Sequence, residues 1–112
     1  MSISEDIIEY WLNTVGPKGW YAGSDELDQD IRTRFQSVWE DALEGGLGTW
    51  LIDARGTLAY LILTDQFPRN MFRGDPRSFA TDAMARAAAK DAIALEWDQQ
   101  VGIPERQFFF MP

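Results

Sequence analysis

The run Asp65-Gln66-Phe67-Pro68-Arg69-Asn70-Met71-Phe72-Arg73-Gly74 decides how this chain is read. Immediately before it, Leu58, Leu61 and Ile62 recur at helical spacing, and the next position on that stripe is Asp65. A helix over Ala54 to Gln66 therefore ends with a carboxylate on its apolar face. Tyr60 and Leu63 make the opposite side apolar as well, so this helix is expected at the centre of the fold. Asp53 is its expected N-cap. Pro68 is expected to end it, because proline pushes the preceding residue out of the α region. An unpaired carboxylate in apolar surroundings is costly or protonates, so Asp65 needs a partner. Arg69 and Arg73, just beyond the expected chain reversal, are the natural candidates.

Helical periodicity spreads outward from this segment. Ser2 with Glu5 forms a capping box, with Ser4 a competing cap, ahead of a stripe of Ile3, Ile7, Ile8, Trp11 and Leu12 that ends near Thr14. Gly16-Pro17 and Gly19 break that helix, leaving Trp20-Tyr21 in a glycine-flanked loop. Ser24 caps a second helix. Asp25, Glu26 and Asp28 suit its positive end, and Leu27, Ile31, Phe35, Val38 and Ala42 mark its buried face until Gly45-Gly46 stops it. Thr81 is expected to cap an alanine-rich helix running from Asp82 past Ala94; Gly102 closes that segment and Pro104 opens a fifth helix. Period-two alternation is scarce and hairpin dipeptides are absent, so strands are not expected. The expectation is an all-α fold of about five helices in antiparallel hairpins, forming one domain over residues 1–112.

Composition removes several function classes. The chain has no cysteine and no histidine, which rules out a disulfide framework, a Ser-His-Asp triad and an ordinary zinc site within it. No catalytic constellation, metal site or cofactor site is expected. A net charge of −8 opposes general nucleic-acid binding. The acidic N-terminus does not read as a signal peptide, and Leu58 to Leu63 is far too short to cross a membrane, so a cytoplasmic protein is expected. The charge is uneven, however. Residues 1–53 carry three Lys/Arg against eleven Asp/Glu, whereas residues 54–80 carry four arginines against two aspartates.

Arg55-Gly56, the run Leu58 to Gly74, and Pro76-Arg77-Ser78-Phe79-Ala80-Thr81-Asp82 closely resemble the bacterial family of unknown function DUF924. Tyr10-Trp11 and Ile31-Arg32-Phe35 extend the resemblance over nearly the whole chain. It implies a tetratricopeptide-like fold of antiparallel helix pairs and implies no reaction. Family members continue past a sequence like Phe110-Met111-Pro112 into a histidine-containing segment. The resemblance is therefore to the N-terminal part of the family fold, as a short form or a piece of a longer one.

Two readings of the arginine-bearing segment follow. In one, Asp65 with Arg69 or Arg73 is a structural ion pair. In the other, Asp65, Arg69, Asn70, Arg73 and Arg77 hold an anionic ligand. The carboxylates Asp25, Glu26, Asp28 and Asp30 match no calcium loop and read as a solvated helix start. Gly45-Gly46-Leu47-Gly48 lacks the Lys-Ser/Thr of a phosphate loop. Of the five tryptophans, Trp11 reads as core, Trp39 as a second packing face, and Trp20 as packing in preference to a ligand platform. Phe108, Phe109, Phe110 and Met111 cannot all face one side of a helix and need covering, which points to a homodimer through this region. The leading expectation is a non-enzymatic helical interaction module with a peptide or protein partner; the alternative is an enzyme or small-molecule binder at the Asp65/Arg69/Arg73 cluster.

Overall fold

The computed structural model of the protein describes residues 2–22, 24–100 and 105–111. They form an all-α fold, with no strand among them. Helix α1, Ile3–Glu9, starts as expected, with the Ser2 hydroxyl accepting from the Glu5 N–H, and continues through a wide π-type turn over Tyr10–Val15. The next segment departs from expectation. Gly16–Ala22 is a short helix, α2, not a loop, because the wide turn ends at Gly16 and the helix restarts there with Pro17 in its first turn, where a missing N–H does no harm. Trp20 is thereby driven inward, its indole N–H donating to the Trp11 carbonyl at 2.7 Å.

Helix α3, Asp25–Leu43, is capped by Ser24 through the Leu27 N–H. It ends in a Schellman arrangement: Gly45 adopts φ +84°, and the Gly45 and Gly46 N–H groups reach the Ala42 and Asp41 carbonyls at 2.9 and 2.8 Å. A 3₁₀ turn, Gly48–Ile52, leads into α4, Ala54–Leu61, capped by Asp53 as expected. Gly56 is needed here, since a Cβ at that position would sit 2.3 Å from the Trp50 carbonyl oxygen.

The central helix does not stop at Pro68. From α4 it passes through a π-type turn, Ile62–Gln66, into α5, Phe67–Met71, and Phe67 is αR with φ −61° and ψ −39°. The wide turn relieves the clash that proline would otherwise make with the preceding turn. An α-helix would supply the Thr64 carbonyl with the N–H of residue 68, which proline lacks. The Thr81 hydroxyl donates to that carbonyl instead, at 2.7 Å, and accepts from the Trp39 indole N–H at 3.1 Å. Thr81 therefore precedes α6, Asp82–Ala94, without capping it through its side chain, another departure from expectation. Short 3₁₀ turns follow at Trp97–Gln100 and Glu105–Phe109; Gly102 and Pro104 lie outside the described residues.

Every residue from Leu58 to Leu63 is buried, as a central helix requires. Phe67 is the hub of the aromatic core, touching Phe35 of α3, Trp11 and Tyr10 with ring centroids 5.1, 5.4 and 6.2 Å away. Phe108 and Phe109 are also interior, each 1% exposed, with Phe108 meeting Trp20 edge-on at 4.9 Å. The need for outside cover thus does not extend to these two. Phe110 remains exposed and Met111 half-buried.

Candidate functional site

The wide turn places Asp65 inside the protein, 3% exposed. One carboxylate oxygen accepts from Gln66 Nε2 at 2.8 Å and the other from Arg69 Nη2 at 3.1 Å. Arg69 Nε also donates to the Asp65 carbonyl, and the Arg69 side chain stays 55% exposed. Arg69 is thus the partner of Asp65. Arg73 is not.

Arg73 reaches across to α3, where its Nε and Nη2 donate to the two oxygens of Asp28 at 2.9 and 3.1 Å. Asn70 Nδ2 donates to the same carboxylate at 3.0 Å. Asp28 is therefore no solvated helix-start residue: it is 4% exposed and ties α3 to α5. One turn on, Arg32 donates to the Met71 carbonyl at 2.8 Å, closing the C-terminal end of α5. Burial acts to raise the Asp28 carboxyl, but the hydrogen bonds from Arg73 and Asn70 and the charges of Arg73 and Arg32 outweigh it and hold the group below its ordinary value. The sequence carries a signal for Asp28: the spacing Asp28, Ile31, Phe35, Val38, Ala42 follows the buried face more closely than the one starting at Leu27, which is only half-buried.

Arg77 is held locally. Its backbone and side chain both bond Asp75, and its guanidinium lies 4.5 Å over the Phe72 ring. The five residues of the expected anion cluster thus share one segment, but their three guanidiniums are engaged by three different carboxylates: Asp65, Asp28 and Asp75. The other expected candidates fall elsewhere. Trp20 packs inside the core, and Asp30 accepts the Tyr10 phenol at 2.6 Å and pairs with Arg34. Burial, then the hydrogen bond and charge of Asp30, push the Tyr10 phenol well above its usual range. A cleft of about 390 Å³ opens beside it, walled by Asp6, Glu9 and Thr14.

Residues 7–112 match the family described as bacterial protein of unknown function, DUF924. The chain belongs to the DUF924 family. A solved structure similar to this DUF924 chain is that of a protein of unknown function from Agrobacterium tumefaciens, 38% identical, with a TM-score of 0.93 over 97% of this chain and 61% of that one. The chain therefore spans less than two-thirds of that protein's length. Among curated proteins nothing matches. The Arg69, Asn70, Arg73 and Asp28 network accordingly lies within the matched region of a family to which neither description assigns a reaction.

Proposed function

We propose that this DUF924 chain is a non-enzymatic helical interaction module of the tetratricopeptide-like kind, acting in the cytoplasm by docking another polypeptide and pairing with a second copy of itself. The observation that carries the reading is a contrast between charge and apolar surface. Arg69, Arg73 and Arg77 are each matched by a carboxylate of their own chain. Large apolar side chains, by contrast, stand in solvent: Ile52, Phe79, Leu95 and Phe110 are 76%, 71%, 58% and 57% exposed. Covering such a side chain is worth roughly 1.5–3 kcal/mol, a driving force for docking. Among the described residues no helix is long and apolar enough to cross a membrane.

The second reading, an anion site at Asp65, Arg69, Asn70, Arg73 and Arg77, is favoured by one observation: more than half of each guanidinium-bearing side chain remains open to solvent. A thermal-shift screen of metabolites and peptides separates the two, because a ligand of the native state raises the melting temperature. The expected result is stabilisation by peptides that persists in Arg69→Gln and Arg73→Gln variants. Stabilisation by an anionic metabolite that disappears in those variants would overturn the module reading in favour of the binder.

A further inference from the structure

Away from the arginine segment, an open groove of about 410 Å³ lies between α4, α6 and the two 3₁₀ turns Gly48–Ile52 and Trp97–Gln100. Ala88 and Ala92, one turn apart on α6 and buried, line its floor; Leu51, Leu95 and Trp97 line its rim. Leu95 is 58% exposed, and Ile52, beside Leu51, is 76% exposed. The turn Glu105–Phe109 packs on α4, α6 and the Trp97–Gln100 turn as well, and the exposed Phe110 follows it directly. Ile52, Leu95 and Phe110 thus stand on, or directly after, elements that meet at one groove. Clustered apolar surface of this kind marks a place where something docks.

The Agrobacterium relative points to the occupant. Its fold follows nearly the whole of this chain with a TM-score of 0.93, yet nearly two-fifths of that protein lies outside the match. That remainder amounts to roughly 70 residues, a length at which a core of its own supplies little stability, so it must pack against the matched part. The groove selects the form of the segment that docks. No strand lies among the described residues, so an extended segment would find no sheet edge for its backbone groups. A helix satisfies its own backbone. The small side chains of Ala88 and Ala92, at an i, i+4 interval, let a second helix come close with large apolar residues on one face.

We propose that this groove is the seat of an amphipathic helix from the part of the DUF924 fold that lies outside the match, its large apolar side chains entering over Ala88 and Ala92 and covering Leu95 and Ile52. The proposal rests on the module reading, in that the chain docks another stretch of polypeptide, and it names the surface and the occupant. Phe79, 71% exposed on the turn Pro76–Phe79 that packs on α5, is not part of the groove and supplies a control.

The test grafts residues 1–112 in place of the matched part of the Agrobacterium protein and compares the graft with the 112-residue chain. Leu95→Glu and Ile52→Glu place a charge at the groove without emptying the core. In the 112-residue chain each new carboxylate stays in water; in the graft each is forced under the docked helix. The unfolding equilibrium, read from urea denaturation, should therefore shift by at least about tenfold more in the graft. Phe79→Glu should act alike in both, within about twofold. If the graft does not fold, glutamate at the positions of the intact Agrobacterium protein aligned with Leu95, Ile52 and Phe79 gives the same contrast. The first two should then destabilise that protein at least about tenfold more than the third. Equal costs of Leu95→Glu in the graft and in the 112-residue chain overturn the proposal, as does a cost of Phe79→Glu that grows as much. In the intact protein, equal costs at the three positions overturn it. Peptides that stabilise the 112-residue chain equally with and without Leu95→Glu would leave the module reading in place and remove this groove from it.

Discussion

Truncating Asp28 to alanine would release two donors with unequal consequences. Arg73 is 57% exposed along its side chain and would turn to water, whereas Asn70 is 6% exposed and its amide would be left unpaired inside the protein. The expected loss is about 1–3 kcal/mol, the penalty for a stranded buried polar group, read from urea denaturation. The same carboxylate sets a pH dependence. Its pKa is depressed in the folded state, so its contribution is complete above the unfolded carboxyl value, near about 3.9, and disappears as the pH falls through the lower folded value. Asp28→Asn should therefore flatten the loss of stability below about pH 4, and superimposable acid profiles for the two proteins would show that Asp28 is not ionised in this network. Asp65 with Arg69 was legible because a carboxylate at a helical interval from Leu58 and Ile62 demands a local partner. Asp28 was less so: its spacing to Ile31, Phe35, Val38 and Ala42 marks the buried face, but an acidic residue near a helix start also has an adequate explanation in the dipole, and its contact across 45 residues with Arg73 decides for burial.

A different kind of coupling operates between elements. Pro68 withholds an N–H from the Thr64 carbonyl, and Thr81 supplies a hydroxyl in its place while receiving the Trp39 indole, so α3, the central helix and the start of α6 meet at one buried oxygen. Thr81→Val keeps the shape and removes that oxygen, leaving the indole N–H and the carbonyl without their partner; a loss of about 1–3 kcal/mol is expected, and Thr81→Ser should recover most of it. Restoring the N–H through Pro68→Ala should soften the effect, since the helix could then satisfy Thr64 itself. The four proteins of this double-mutant cycle, compared by urea denaturation, should show coupling above about 0.5 kcal/mol; additivity within that limit would mean that the proline and the threonine act separately. This junction also explains why the helix was expected to end five residues early, at Gln66 and not at Met71. Proline disfavours a helical predecessor, yet Phe67 is held in the α region, and nothing in the local sequence announces the π-type turn that carries the helix past Pro68. The compensating hydroxyl lies 17 residues away from Thr64. The caps at Ser2, Ser24 and Asp53, by contrast, depend on neighbours three residues away and were readable directly.

At the scale of the whole molecule, the all-α class follows from the periodic stripes, and the described residues, with no strand among them, agree with it. What periodicity could not supply was the destination of the aromatic run near the C-terminus. Phe108 and Phe109 fill the space beside Trp20 and belong to the core of a single chain, which leaves Phe110, 57% exposed, with half-buried Met111 as the surface available for pairing. The run therefore divides into residues that hold the fold and a residue that can hold a partner, and substitution should separate the two roles. Phe108→Ala should destabilise the chain by about 3–5 kcal/mol, the usual result of emptying a buried aromatic site. Phe110→Ser should cost far less than Phe108→Ala, about 1 kcal/mol or below, because more than half of that residue already stands in water. If a two-fold pair of chains covers Phe110, the same substitution should lower the average mass measured by light scattering at tens of micromolar, towards that of one chain. A monomer mass for the unsubstituted protein under those conditions would remove the basis for self-association, because the remaining phenylalanines of the run are already out of water.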